Sequence, residues 1–171
     1  MFLCIYCAGG GITMADFMNR FPDAYAKIQG IPKYKNVIGH IRFYSVHGGT
    51  VIIAEVYGLP EKQPQMIGNF FGFHIHEGNV CSGDAEDPLK DTGTHYNPWK
   101  TEHPDHAGDL VPLLSVGGKA WSSFYTGRFY PEDVIGRTVV IHDMADDFHS
   151  QPAGNSGEKI ACGTIEEKCH I

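Results

Sequence analysis

Apolar and β-branched side chains recur along this chain in short runs, cut by glycine, proline and small polar residues. Seven runs read as strands: Ala24–Gln29, Val37–Val46, Thr50–Tyr57, Phe70–His76, Lys119–Thr126, Arg137–His142 and Lys159–Ile165. The tetrad His47-Gly48-Gly49-Thr50 between two of them is a hairpin signal, because glycine accepts the positive φ that tight turns need. Apolar residues are almost continuous over Val51–Tyr57, so period-2 alternation is weak there. It is clear in Phe73–His76, where Phe73 and Ile75 point one way and His74 and His76 the other. Both imidazoles are thus expected on one strand face, with core-forming side chains opposite.

The helical pattern is thin. Pro22–Lys27 and Pro131–Val134 are each expected to form a turn or short helix, with proline early in the segment. Two stretches, Glu77–Leu114 and Asp143–Glu158, show no regular pattern at all. Loops of that length in a compact domain are usually functional. The strands are therefore expected to be scaffold and the two loops the active region.

Composition agrees with this picture. The chain has 171 residues, enough for one domain with a substantial core, and its 21 glycines and 10 prolines favour strands and turns over long helices. The formal charge is −7, with Lys and Arg scattered singly, which argues against nucleic-acid binding. An anionic ligand would have to be drawn in by a local positive field. The N-terminal MFLCIYCAGGG lacks a basic start, and its apolar stretch is too short for a secretory or membrane-spanning segment, so a cytoplasmic location without a membrane span is expected. The expected organisation is a leader over 1–22, a domain over 23–167 and a tail over 168–171. Of five cysteines, Cys4 and Cys7 form an isolated CxxC and Cys169 stands alone near the C-terminus; none of the three receives a role.

The candidate chemistry lies in six histidines and one aspartate. His74 and His76 end one strand, His95, His103, His106 and Asp109 cluster in the first loop, and His142 ends another strand. A lone histidine is more often an ordinary surface or core residue than a ligand. Seven candidates at this spacing exceed what one zinc needs, since such a site takes about three or four protein ligands. Three nitrogens and a carboxylate suit zinc, whereas an all-imidazole set suits copper. His40, His47, His149 and His170 fall outside the pattern and receive no role.

From about residue 24 to residue 166 the chain resembles the copper/zinc superoxide dismutases. The residues that carry this are GFHIHE, GTHYNP with a histidine eight residues beyond His95, HAGDL, GRTVVIHDMADD and GNSGEKIACG. The resemblance implies an eight-stranded antiparallel Greek-key β-barrel with two long functional loops. It implies copper on His74, His76, His95 and His142, and zinc on His95, His103, His106 and Asp109, with His95 shared. It further implies that Asp146 links copper-side and zinc-side histidines, and that Cys81 and Cys162 form a disulfide. The implied reaction converts two superoxide anions to dioxygen and hydrogen peroxide, with His95 as proton carrier. A copper chaperone and a homodimer are compatible partners.

One departure stands beside the copper ligands. Where the family usually has arginine, three residues before the second disulfide cysteine, this chain has Lys159. Lysine keeps the charge but lacks the planar fork that grips an anion with two donors. Attraction of superoxide is expected to survive, with poorer docking geometry. The second loop carries Asp143, Asp146, Asp147 and Glu158 and no cation before Lys159, so long-range steering is expected to be weak. Rival readings are a cupin dioxygenase or zinc hydrolase, disfavoured because Glu77-Gly78-Asn79 follows the HxH pair, and a dismutase-like copper-handling domain with little turnover.

Overall fold

In the computed structural model, residues 19–61 and 69–168 are described. Nine strands form one antiparallel sheet: β1 (Ala24–Gly30), β2 (Ile38–Val46), β3 (Gly49–Tyr57), β4 (Asn69–Phe71), β5 (Phe73–His76), β6 (Leu113–Val116), β7 (Lys119–Thr126), β8 (Thr138–His142) and β9 (Lys159–Glu167). Their order is β4-β6-β7-β3-β2-β1-β9-β8-β5, so the two edge strands are neighbours in sequence, joined through Gly72. The sheet curls into a nearly closed barrel, which leaves little free edge. A short helix α1 (Pro131–Val134) starts with proline, as its sequence predicts.

The strand count is nine, against the eight expected, and three local readings change. Phe70–His76 is not one strand: β4 pairs with β6 and β5 with β8, at opposite edges of the sheet. Gly72 is the break. Its Cα packs so closely on Ser156 and His142 that an added Cβ would overlap the first and crowd the second. A second is β6, four residues of which the sequence reading assigned Leu113 and Leu114 to the first loop and the other two to no element. A third concerns Pro22–Lys27, where β1 begins at Ala24 in place of a helical turn.

The core lies inside the barrel. Ala24, Ala26 and Ile28 of β1 alternate inward, and meet Ile41 and Phe43 of β2 and Ile52, Ala54 and Val56 of β3. Phe71, Phe73, Ile75, Leu113, Ile141 and Ile160 complete it. Each large side chain fully withdrawn from water contributes about 1.5–3 kcal/mol. The β2–β3 hairpin turns at His47-Gly48, with Gly48 at φ 84°. The two long loops leave the rigid strands β5 and β8 and lie against each other over one flank of the barrel.

Candidate metal centre

The first loop is held on β5 as if it were a strand partner. Ile75 N–H donates to Gly108 O, Tyr96 N–H to Ile75 O and Leu110 N–H to Phe73 O, at 2.8, 2.8 and 3.3 Å. Bridges of the same kind set His74 opposite Asp109 and His76 opposite His95. Gly108 has to be glycine, since a Cβ there would run into Ile75 O. His74 and His76 do share a face, but the loop covers it, and all four residues of β5 are buried. On β8 a register shift between Ile141 and His142 breaks the ladder at His142, whose ring joins the same cluster.

All seven sequence-predicted ligands come together as two groups of four that share His95. His74, His76, His95 and His142 form one, and His95, His103, His106 and Asp109 the other. Every member is buried. In the second group His95 Nδ1 stands 2.7 Å from Asp109 Oδ1, while His103 Nδ1 and His106 Nδ1 stand 3.1 and 3.2 Å from Asp109 Oδ2. Ligand atoms on tetrahedral zinc with bonds near 2.0–2.1 Å lie roughly 3.3 Å apart. The spacing is close to that of a coordination shell.

The first group shows the same fit through its tautomers. His76 Nδ1 donates to Gly93 O at 3.0 Å and His142 Nδ1 to Gly157 O at 3.4 Å. Their other nitrogens then carry lone pairs, yet the two Nε2 atoms face each other at 3.2 Å. Two bare lone pairs at that distance repel, and a cation between them removes the conflict. His74 Nδ1, His95 Nε2, His103 Nδ1 and His106 Nδ1 are likewise buried without a hydrogen-bond partner. Orphaned buried nitrogens are costly unless a metal takes them.

Asp146 lies where the resemblance puts it. Its Oδ2 accepts from His74 Nε2 at 2.6 Å and its Oδ1 from His103 Nε2 at 2.9 Å, so one carboxylate orients a ring in each group. Burial alone would raise this carboxyl, but the bonds from His74, Phe148 N–H and His103 outweigh it and hold the pKa at about 2. Burial drives the histidines down: His74 to about 4, His142 to about 3 and His76 well below its ordinary value. Neutral imidazole, the form that binds metal, is therefore kept well below neutral pH.

His76, His95 and His142 line a cavity of about 480 Å³ whose wall also includes Glu102, Gly157 and Lys159. Lys159 is thus beside the cluster, but it is already engaged. Its Nζ donates to Asp87 Oδ2 at 3.0 Å and to Leu89 O at 3.1 Å. Cys81 and Cys162 are bonded, tying the first loop to β9. His40, His47 and His149 are exposed and away from the cluster; Cys4, Cys7, Cys169 and His170 lie outside the described residues.

Sequence reasoning missed two side chains here. Asp87 is one, and it lies 72 residues from the lysine it holds. Arg128 is the other: its Nη1 donates to Pro104 O, His106 O and Asp109 O at 2.8, 2.9 and 3.3 Å, fastening the segment that carries the zinc-type ligands. Neither has a local signal, because each acts on a segment remote in sequence.

The family model described as "Copper/zinc superoxide dismutase (SODC)" matches residues 37–165, and those residues include every ligand named above. This chain belongs to the copper/zinc superoxide dismutase family. A superoxide dismutase [Cu-Zn] of Deinococcus radiodurans is 36% identical over 137 residues, covering 69% of this chain and 71% of its own. Superoxide dismutase [Cu-Zn] 2 of Aquifex aeolicus is 31% identical over 144 residues, covering 75% of this chain and 79% of its own.

Two solved structures share the fold. Cu/Zn superoxide dismutase from Brucella abortus matches with TM-score 0.70 at 23% identity, covering 84% of this chain and 99% of that one. The P104H mutant of a SOD-like protein from Bacillus subtilis matches with TM-score 0.67 at 28% identity, covering 83% and 97%. This dismutase-family chain therefore presents a copper-type and a zinc-type group in one barrel. Among the described residues no helix is long and apolar enough to cross a membrane. Family relatives include extracellular superoxide dismutases from Caenorhabditis elegans and Schistosoma mansoni.

Proposed function

We propose that the chain performs superoxide dismutation with His95 as the proton carrier and Lys159 as the anion-guiding group. The carrying observation is the pair of four-ligand groups that share His95, with Asp109 on its Nδ1 and no partner on its Nε2. Bound copper would supply the one-electron couple between Cu(II) and Cu(I), and bound zinc would supply a fixed positive charge. Two superoxide anions and two protons give one dioxygen and one hydrogen peroxide. His74, His76 and His142 offer neutral nitrogens whose orientation is set by Asp146, Gly93 O and Gly157 O. His95 lines the cavity, and its unpartnered Nε2 is the place to hold a proton and pass it to the departing peroxide. Lys159 supplies the positive charge at the mouth.

We take residues 23–167 as the working unit. Copper delivery by a chaperone, a cytoplasmic location and pairing of two copies belong to the same proposal. Exposed Phe70, Leu114 and Trp121 on the adjacent strands β4, β6 and β7 support pairing, which sedimentation would test.

The deciding experiment loads the purified chain with both metals, counts them, and measures superoxide-dependent turnover with its cyanide sensitivity. One copper and one zinc per chain with cyanide-sensitive turnover is expected. Zinc alone, with no turnover after copper loading, would leave a metal-handling domain. The engagement of Lys159 by Asp87 is the observation that favours this second reading.

A further inference from the structure

We infer that Asp87 is the counter-charge that sets the direction and the effective charge of Lys159 at the mouth of the metal cavity. Asp87 is thereby a positioning residue for the anionic substrate, and the inference rests on the dismutase reading above.

The lysine is held by two partners, the Asp87 carboxylate and Leu89 O, and its side chain is only 18% exposed. An ammonium has three donors. Two are committed to Asp87 and Leu89, neither of which lines the metal cavity, so the remaining one is available towards the cavity where His76, His95 and His142 lie. A guanidinium gets its direction from its own planarity. Here the direction is imposed from outside, by a turn of the first loop.

That turn is well built. Asp87 Oδ1 accepts from Leu89 N–H at 3.0 Å, and Asp87 O accepts from the backbone N–H groups of Asp84 and Lys90, each at 3.0 Å. The Cys81–Cys162 bond joins the same two segments, since Cys162 follows Lys159 by three residues.

The arrangement has an electrostatic cost. An anion that approaches Lys159 also meets the Asp87 charge, and the two fields largely cancel at long range. An adjoining cavity of about 560 Å³ shares Lys159 with the metal cavity and is lined also by Asp87, Lys33 and Glu158, the last two paired with each other at 3.0 Å. Both lysines lining these two cavities are therefore neutralised by a carboxylate. Orientation is gained and steering is given up.

The test uses the copper- and zinc-loaded protein titrated with azide, followed by the visible absorption of its copper. Removing one charge several ångströms from an anion in a wet mouth changes affinity by about two- to fivefold. Asp87→Asn keeps the turn and removes the charge. It should bind azide about threefold more tightly at low ionic strength, and the gain should fade in high salt. Asp87→Glu restores the charge and should bind azide like the parent. Azide affinity in Asp87→Asn equal to or weaker than the parent's would overturn the inference, and a fall in melting temperature alongside it would make the pair a structural clamp. Failure of the dismutase reading looks different: the loaded parent itself would show no turnover, whatever azide does.

Discussion

Asp146 Oδ2 accepts a hydrogen bond from His74 Nε2 at 2.6 Å, in a contact where both side chains are fully buried. The same carboxylate reaches His103 of the other group at 2.9 Å, so a single residue fixes one ring in each metal group. Asparagine offers one acceptor oxygen where the carboxylate offers two. In Asp146→Asn, one of the two histidines must therefore face an NH₂ donor and change tautomer. We expect affinity for at least one of the two metals to fall by about 10–100-fold. Competition with a chelator for each metal would show it, and unchanged affinities would rule out the linking role.

Stability of the metal-free protein should depend on pH in a defined direction. His74 at about 4 and His142 at about 3 lie below the roughly 6.5 of an unfolded histidine. Between these values the unfolded chain binds protons that the folded chain does not, so stability falls as pH drops from about 6.5 towards 3. Asp146, near 2 when folded, adds to the loss below the ordinary carboxylate value of 3.8. Urea midpoints of chelator-treated protein should decline steadily from pH 7 to pH 4. A flat profile would show that the cluster opens to water without its metals.

Arg128 fastens three carbonyls of the zinc-type segment from the loop after β7. Arg128→Ala leaves those acceptors without their charged donor and should cost about 1–3 kcal/mol in stability. Zinc should also pass to a colorimetric chelator faster than from the parent. Arg128→Lys, one ammonium in place of a fork, should recover only part of the difference. Zinc release at the parental rate in Arg128→Ala would mean that β5 alone holds the segment.

The Cys81–Cys162 bond closes a span of 81 residues. Cys81 is exposed, so Cys81→Ser creates no cavity of its own. Its loss should lower stability by about 2–5 kcal/mol, mostly through the unfolded chain. Because the bond also ties the turn of Asp87 and Leu89 to β9, the variant should show weaker and more variable azide binding in the loaded protein. Parental stability on denaturation would contradict the first expectation.

Much of the metal centre was legible because its signals are local. HxH on a strand, four ligands within one loop and a histidine at a strand end each sit inside a short stretch of chain, and strand geometry decides where the strand-borne side chains point. The division of Phe70–His76 was not legible: a glycine inside an apolar run looks like part of the strand. Only the packing of Ser156 and His142 on Gly72 makes it a break. The four residues of β6 were hidden for a related reason, since so short a run is recognised only when β4 and β7 pair with it.

Lys159 shows the limit most clearly. Its position beside the copper-type ligands followed from the family resemblance of GNSGEKIACG, whereas its ion pair joins residues 72 apart and has no local trace. By itself, then, the sequence determined a chain of short strands and the identity of seven ligands, because ligand chemistry and strand periodicity act over short distances; the barrel and the division around His95 were legible only through the family resemblance. The tertiary structure alone decided that the sheet closes through Gly72, that Arg128 fastens the zinc-type segment, and that Asp87 pairs with Lys159. Those outcomes depend on which distant surfaces meet, and only the folded chain brings them together.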